Sequence, residues 1–477
     1  MAKQSKWLTF LVVAVAQFMV VLDTSITNVA LPAIKKSLNF STSSLQWVVT
    51  AYALTFGGFL LLGGRAADQF GRRRTLQIGM AGFTLFSFLI GITNSSTMLI
   101  ALRALQGMAA AFMSPAALSI VLATFKEGKE RNRALGLWTT VATGGAAVGL
   151  LVGGALTQFV NWRWNFFINV PVGILVSLAI PRVVPKHESE STDKHLDLPG
   201  ASLVTTGLIS LVYSISQAPT KGWLSASTLG FFGASLVLLA GFVYNESKSK
   251  HPLMPLSIFK NRNVTGGNLI MAPVYAAMMG TFFLLSIYMQ NVLGYSPLKS
   301  GLSFLPLPII LGLMSTRTPK LVNKYGFRRF LIIGPLVIAI AMALLSRLPV
   351  HGTYLANVFP TVVIMPFGVA LTFMPVIAAA TSGVRAQEAG LASGLVSTSQ
   401  QMGGALGLAV LSGIASSVMT SNMNLGRAAA QVHGYDSAFT VAVGFLAAAS
   451  ITAALLIKQK RKPSKKQGEG IGVPVFE

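Results

Sequence analysis

No cysteine occurs among the 477 residues. Disulfides, thiolate metal sites and a cysteine nucleophile are therefore excluded. Acidic side chains are also scarce, with 13 Asp and Glu against 37 Lys and Arg. The five histidines are scattered and show no metal-ligand spacing. No phosphate-cradling loop ending in Gly-Lys-Ser or Gly-Lys-Thr is present, so the chain does not read as its own ATPase. No nucleophile–base pair or metal cluster suggests an enzyme, and no cofactor is implied. Charged residues make up only 10% of the chain, where a soluble protein carries about 25%.

Long apolar runs fill the space the charges leave. Hydrophobic residues make up 53%, the mean hydropathy is +0.65, and about 20 apolar residues span a bilayer core. Alternating barrel strands are absent, so the fold class is an all-α polytopic membrane protein. The pattern predicts fourteen helices, numbered in order: 7–31, 45–64, 75–93, 98–122, 134–158, 165–181, 200–218, 226–245, 264–290, 300–316, 330–346, 354–381, 390–418 and 436–457. The first apolar segment is too long for a signal peptide and reads as a span.

The formal charge of +24 could suggest nucleic acid, but its distribution gives another reading. With the N-terminus inside, 29 Lys and Arg fall on the cytoplasmic side and 7 on the other, leaving Arg103 in a span. That asymmetry is the positive-inside rule and places both termini in the cytoplasm. The basic tail "KQKRKPSKK" reads as a topology signal, with binding to anionic lipid as the alternative. No nucleic-acid partner is expected.

The chain repeats itself. "DQFGRRR" at 68–74 aligns with "NKYGFRR" at 323–329; Gly136, Gly145 and Gly149 align with Gly394, Gly403 and Gly407; Gly107 aligns with Gly368. These matches imply two six-helix halves with the ligand site at midplane between them. The expected organisation is an N-terminal half at 1–182, a cytoplasmic linker at 183–199 and two inserted helices at 200–245. A C-terminal half at 246–457 and a basic tail at 458–477 complete it.

Four stretches carry the chemistry. "GRAADQFGRRR" joins helices 2 and 3; Gly64 is expected to let helices approach closely and Gly71 to permit the turn. Asp68 stands among arginines there and could face the positive end of a helix in the other half. Arg103 lies inside helix 4, where a cation costs roughly 2.5–3.5 kcal/mol on insertion scales. Gly107, Ala110 and Ala111 share its face, so that face packs on protein; snorkelling of Arg103 to an interface is the alternative. Helix 5 carries Gly145, Gly149, Gly153 and Gly154 in "GLWTTVATGGAAVGLLVGG". Asp23, in "LDTSITNVALP", is the one acidic residue placed well inside a span. An ionised carboxylate there is strongly disfavoured unless paired, so it can take up a proton when dry and release it when water or a cation approaches. A permanent structural pairing with Arg103 is the alternative.

These stretches resemble the major facilitator superfamily, and in particular its fourteen-helix drug:proton antiporter branch. "GRAADQFGRRR" resembles the superfamily's cytoplasmic signature loop, whose charge relay latches the two halves; the resemblance makes Asp68, Arg72 and the neighbouring Arg73 gate residues. The second copy has Asn323 in place of Asp68. The Arg103–Gly107 spacing resembles the helix-4 motif tied to proton transfer. The helix-5 glycines resemble the exporter motif, although Leu150 stands where a proline is expected, which weakens the inference of export direction. "LDTSITNVALP", "LQWVVTAYAL", "WRWNFFINVPVG" and "HPLMPLSIFKNR" resemble the fourteen-helix branch.

The resemblance implies a monomeric secondary transporter in the cytoplasmic membrane of a bacterium, surrounded by membrane lipids. Its substrates would be protons and an amphipathic small molecule moved outward by alternating access. Asp23 and Arg103 would couple the proton. Asn28, Gln46, Gln106, Gln400 and Gln401 are candidate cavity groups. Trp47, Tyr52, Tyr275, Met278, Met279, Phe282 and Phe283 are candidates for an adaptable wall, although each could equally be ordinary packing. Export of an endogenous lipid or metabolite, and a non-transporting sensor or scaffold, stay open.

Overall fold

The computed structural model describes residues 6–186, 195–385 and 388–459. The linker's central residues and most of the basic tail lie outside them. Fourteen helices are long and apolar enough to cross a membrane. Helices 1–6 are Lys6–Ser37, Trp47–Phe70, Arg72–Ile92, Ser96–Thr124, Lys129–Phe159 and Trp164–Val183. Helices 7 and 8 are Leu198–Lys221 and Ala226–Lys248. Helices 9–14 are Arg262–Asn291, Pro297–Ser315, Phe327–Leu345, Tyr354–Ala380, Ala389–Ser421 and Arg427–Leu456. No strand occurs among the described residues.

Helices 1 and 2 each run six residues past the expected end and helix 5 starts five residues early, and two larger differences concern helices 14 and 10. Helix 14 begins at Arg427, nine residues before the expected start, directly after Gly426 with φ 88°. Its first turns contain Arg427, Gln431 and His433, which dilute the apolar signal. Helix 10 is broken into Pro297–Ser303 and Pro306–Ser315, and a further piece, Thr318–Tyr325, extends it. Pro306 cannot donate its backbone nitrogen to a continuing helix, so a new helix starts there.

The repeat has structural counterparts. Gly71, between helices 2 and 3, has φ 91°, and Gly326, between the helix-10 extension and helix 11, has φ 82°. Only glycine adopts that conformation without strain, which fixes both turns. Gly145 and Gly149 of helix 5 pack on Phe18, Leu22 and Ser25 of helix 1. In the second half, Gly403 and Gly407 of helix 13 pack on Ala272 and Ala276 of helix 9. Small residues that admit a neighbouring backbone are the usual means of helix association in lipid.

Helix 7 lies over the seam between helices 2 and 13. Ala53 and Leu54, Leu208 and Val212, and Ala405 and Ala409 form one apolar cluster. Gly58 faces Thr205, with no room for a side chain. Helix 8 backs helix 7, with Leu238 and Leu239 against Gly207.

Candidate functional site

At the level of Asp23, helices 1, 2, 3, 4 and 6 enclose a polar network within the first half. Helix 5 positions helix 1 for it. Gly145, Gly149 and Gly153 present successive faces to Phe18, Leu22 and Ile26, so the backbone around Asp23 sits in a glycine groove. Helix 4 is held in the same way. A Cβ on Gly107 would overlap the Tyr52 carbonyl of helix 2, and one turn earlier Arg103 reaches across that helix.

Asp23 is 0% exposed and Arg103 1% exposed, so Arg103 does not snorkel. Its Nη1 donates to Asp23 Oδ2 at 2.5 Å and to Gln106 Oε1 at 2.6 Å. Arg103 Nε donates to the Val48 carbonyl at 2.9 Å. The second carboxylate oxygen, Asp23 Oδ1, accepts from Gln106 Nε2 at 2.9 Å and from Asn169 Nδ2 at 3.1 Å. Gln106 Nε2 also reaches Ser87 Oγ at 2.9 Å. The Tyr52 ring covers the guanidinium, with Cζ 4.3 Å from its centroid, and the Phe166 ring centroid lies 5.8 Å from the same carbon. A desolvated cation over a tyrosine face gains about 2 kcal/mol. The pair is thus neutral as a unit, and each charged oxygen has partners, as burial of an ion pair requires.

The sequence reading placed Gln106 on a cavity wall. It is fully buried inside this network instead, because it is one helical turn from Arg103 and follows its face. Ser87 and Asn169 were not singled out, although Asn169 stands in the "WRWNFFINVPVG" stretch.

The other candidates do not gather in one place. Gln46 and Trp47 sit in a knot between halves. Gln46 Oε1 accepts from Ser412 Oγ of helix 13, while Gln46 Nε2 and Trp47 Nε1 donate to Ser216 Oγ of helix 7 at 2.9 and 3.3 Å. Tyr52, Tyr275 and Gln400 approach one another near midplane, while Gln401 faces Gly57 across the helix 2–helix 13 seam. Met278, Met279 and Phe283 belong to the large apolar core; half-buried Phe282 packs on it and lies 5.3 Å from Phe304. Asn28 donates to the Thr24 carbonyl, and its own backbone carbonyl accepts from Ser286 of helix 9 at 3.1 Å.

At the signature loop, Asp68 is exposed and Arg72 and Arg73 are half-buried on either side of the Gly71 turn. The reach to the other side comes from a residue that the sequence reading passed over. Arg65 Nη1 donates to the His251 carbonyl at 2.9 Å, and Arg65 Nη2 to the Pro252 carbonyl. Gly64 is not the close-approach glycine: a Cβ there would meet only Pro115 at 3.9 Å, whereas one on neighbouring Gly63 would overlap the Ala111 backbone. Adjacent helical positions point about 100° apart, so only one of the two can press directly on the helix 4 backbone.

Contacts between helices 5 and 10 gather at the end away from Gly71 and Gly326. Gly154 lies against Leu298, Gly301 leaves no room for a Cβ beside the Leu150 carbonyl, and Leu298 N donates to Gln158 Oε1 at 3.3 Å. Nearby, Gln290 Nε2 donates to the Val29 carbonyl at 3.0 Å. Towards the other end, Gly136 and Gly144 of helix 5 and Gly312 of helix 10 face open space.

A two-half helical bundle with a buried ion pair at midplane defines a polytopic membrane protein of transporter architecture. The chain belongs to the Major Facilitator Superfamily, whose family model matches residues 13–408; this is a family of transporters and not of enzymes. It is 37% identical to the puromycin resistance protein pur8 of Streptomyces alboniger, over 98% of this chain and 95% of the relative. It is 39% identical to the cephamycin export protein CmcT of Amycolatopsis lactamdurans, over 95% and 93%. Among solved structures, the POT family transporter PepTSo superposes with a TM-score of 0.70 at 14% identity, covering 94% of this chain and 97% of that one. A bacterial homologue of the lysosomal transporter Spinster gives 0.68 at 17% identity, covering 96% and 98%. These two likenesses concern the fold.

Proposed function

We propose that the protein exports amphipathic, neutral or monocationic small molecules from a bacterial cell in exchange for protons, as a monomer with both termini cytoplasmic. The observation that carries this reading is the Asp23–Arg103 pair, closed off from water at midplane. A carboxylate that must be held by an arginine, a glutamine and an asparagine is expensive to keep in a membrane. A group able to exchange its ion pair for a proton repays that expense functionally. The names of the relatives, a puromycin resistance protein and a cephamycin export protein, support the outward direction and the class of cargo.

In this reading helices 1–6 rock against helices 9–14. Contacts at the Gly154–Leu298 end form the closed outer side, and the signature loop with Asp68, Arg72 and Arg73 lies at the cytoplasmic gate. The midplane groups Tyr52, Tyr275 and Gln400 face the cargo.

The test is flux in proteoliposomes containing purified protein and radiolabelled puromycin. An imposed pH gradient should drive uphill puromycin movement in the wild type and none in Asp23→Asn, with the variant still inserted and monodisperse. Uphill movement by Asp23→Asn equal to the wild type would refute the proton role.

A further inference from the structure

We propose that Tyr52 is the lid that ties proton exchange at Asp23 to the presence of cargo, and that it reads cargo carrying a hydrogen-bond acceptor. The inference rests on the exchange reading above and deepens it.

Tyr52 has two ends in two environments. Its ring lies flat enough on Arg103 to place the guanidinium carbon 4.3 Å from the centroid. Its hydroxyl is buried and makes no hydrogen bond of normal geometry. Thr24 of helix 1 and Tyr275 of helix 9 are its polar neighbours, and both are half-buried, on opposite halves of the protein. Thr24 approaches the hydroxyl without meeting it in good hydrogen-bond geometry, and a poorly satisfied buried hydroxyl costs up to about 1–3 kcal/mol. The backbone of the residue is fixed, since Gly107 packs directly on the Tyr52 carbonyl, while the ring can still turn about its side-chain torsions. The phenol thus ends between Thr24 and Tyr275, on opposite halves, with a poorly satisfied donor.

Cargo that offers an acceptor satisfies that donor. Satisfying it draws the ring from the guanidinium and opens the ion pair to water. The groups facing the pair then settle the outcome. A hydronium ion can give its proton to Asp23 Oδ2 and leave as water. Arg103 keeps the Gln106 Oε1 and Val48 carbonyl partners it already has. Gln106 and Asn169 remain on Asp23 Oδ1. In the reverse direction water takes the proton and Arg103 returns to the carboxylate. With the ring down, neither exchange occurs. The ring therefore prevents proton leak, and the hydroxyl ties its movement to cargo.

The experiment separates the two ends. Tyr52→Phe keeps the ring and removes the donor; Tyr52→Leu removes the ring. Radiolabelled puromycin is the cargo probe, and a trapped pH dye in proteoliposomes follows protons. Puromycin should bind Tyr52→Phe about tenfold more weakly, as loss of one hydrogen bond predicts, with proton leak unchanged. Tyr52→Leu should leak protons several-fold faster in the absence of any drug. Adding Asp23→Asn to Tyr52→Leu should abolish that extra leak. Binding by Tyr52→Phe within twofold of the wild type would overturn the reading role. A Tyr52→Leu protein that is tight to protons, or a leak that persists in the double variant, would overturn the lid. The leak measurement uses no drug, so it tests the lid even if the wild type proves unable to carry puromycin; that failure would count against the cargo reading alone.

Discussion

Arg103 and Asp23 meet at 2.5 Å entirely within one half of the molecule, with neither side chain more than 1% exposed. Rocking of one half against the other would leave this pair intact. Its state can change only through local access by water or a proton.

Removing one member of the pair strands the other. Asp23→Asn or Arg103→Gln alone should cost about 3–5 kcal/mol, the usual price of an uncompensated buried charge. The double variant Asp23→Asn with Arg103→Gln should recover much of that loss, since two neutral amides can bond each other. Thermal unfolding of the purified proteins in detergent checks this. Additive Tm losses would show that the two residues do not interact as the geometry indicates.

Gly63 and Gly64 should respond oppositely to alanine. At Gly63 a methyl group meets the Ala111 backbone, and overpacking of this kind costs about 1–3 kcal/mol. At Gly64 there is room, and replacing a helical glycine gains up to about 1 kcal/mol. Parallel melting curves of the two variants decide it, and a larger loss at Gly64 would contradict the assignment.

The knot at Gln46 joins helices 2, 7 and 13 through Ser216 and Ser412. Gln46→Leu takes one hydrogen-bond partner from each serine, while Trp47 Nε1 still donates to Ser216 Oγ, a cost of about 1–3 kcal/mol. Helix 7 should loosen from the seam. Ser216→Cys can report this, because the natural chain has no thiol to compete. Maleimide should label Ser216→Cys severalfold faster when Gln46→Leu is also present; equal rates would mean that the knot does not hold helix 7.

The outer contact between helices 5 and 10 should be trappable. Gln158→Cys with Leu298→Cys places two thiols where a side chain already bonds a backbone amide. A short bifunctional thiol reagent should link them in the resting protein and stop puromycin flux. An efficient link with flux undiminished would show that this contact never opens.

Much of this was readable from residue types alone. Asp23 and Arg103 stand out because charges in a span are expensive. Gly71 and Gly326 stand out because each begins a repeated basic turn that only glycine can make. Ser87, Ser216 and Ser412 gave no such signal. Serine and threonine in these helices mostly bond the carbonyl one turn back, as Ser25 does to Val21 and Thr84 to Met80. A serine that also meets a side chain of another helix, as Ser87 accepts from Gln106 while bonding the Phe83 carbonyl, looks the same in the chain. The Gly63–Gly64 choice was hidden for a related reason: a pair of adjacent glycines does not say which one meets a neighbour. The early start of helix 14 was masked by its polar first turns, whose Asp436 is occupied by the Leu348 amide.

The meeting of Gly154 with Leu298 lies on the outer side of midplane, with Gly301 on Leu150 about one turn deeper, beside the level of Asp23. Geometry then works as a lever. With the fulcrum on that side, and about 20 Å of a hydrocarbon thickness of about 30 Å beyond it, a tilt of roughly 10° moves the far ends about 3–4 Å apart. Two glycines that bring backbones into contact on one side thus set how little bending is needed to make a passage at the other.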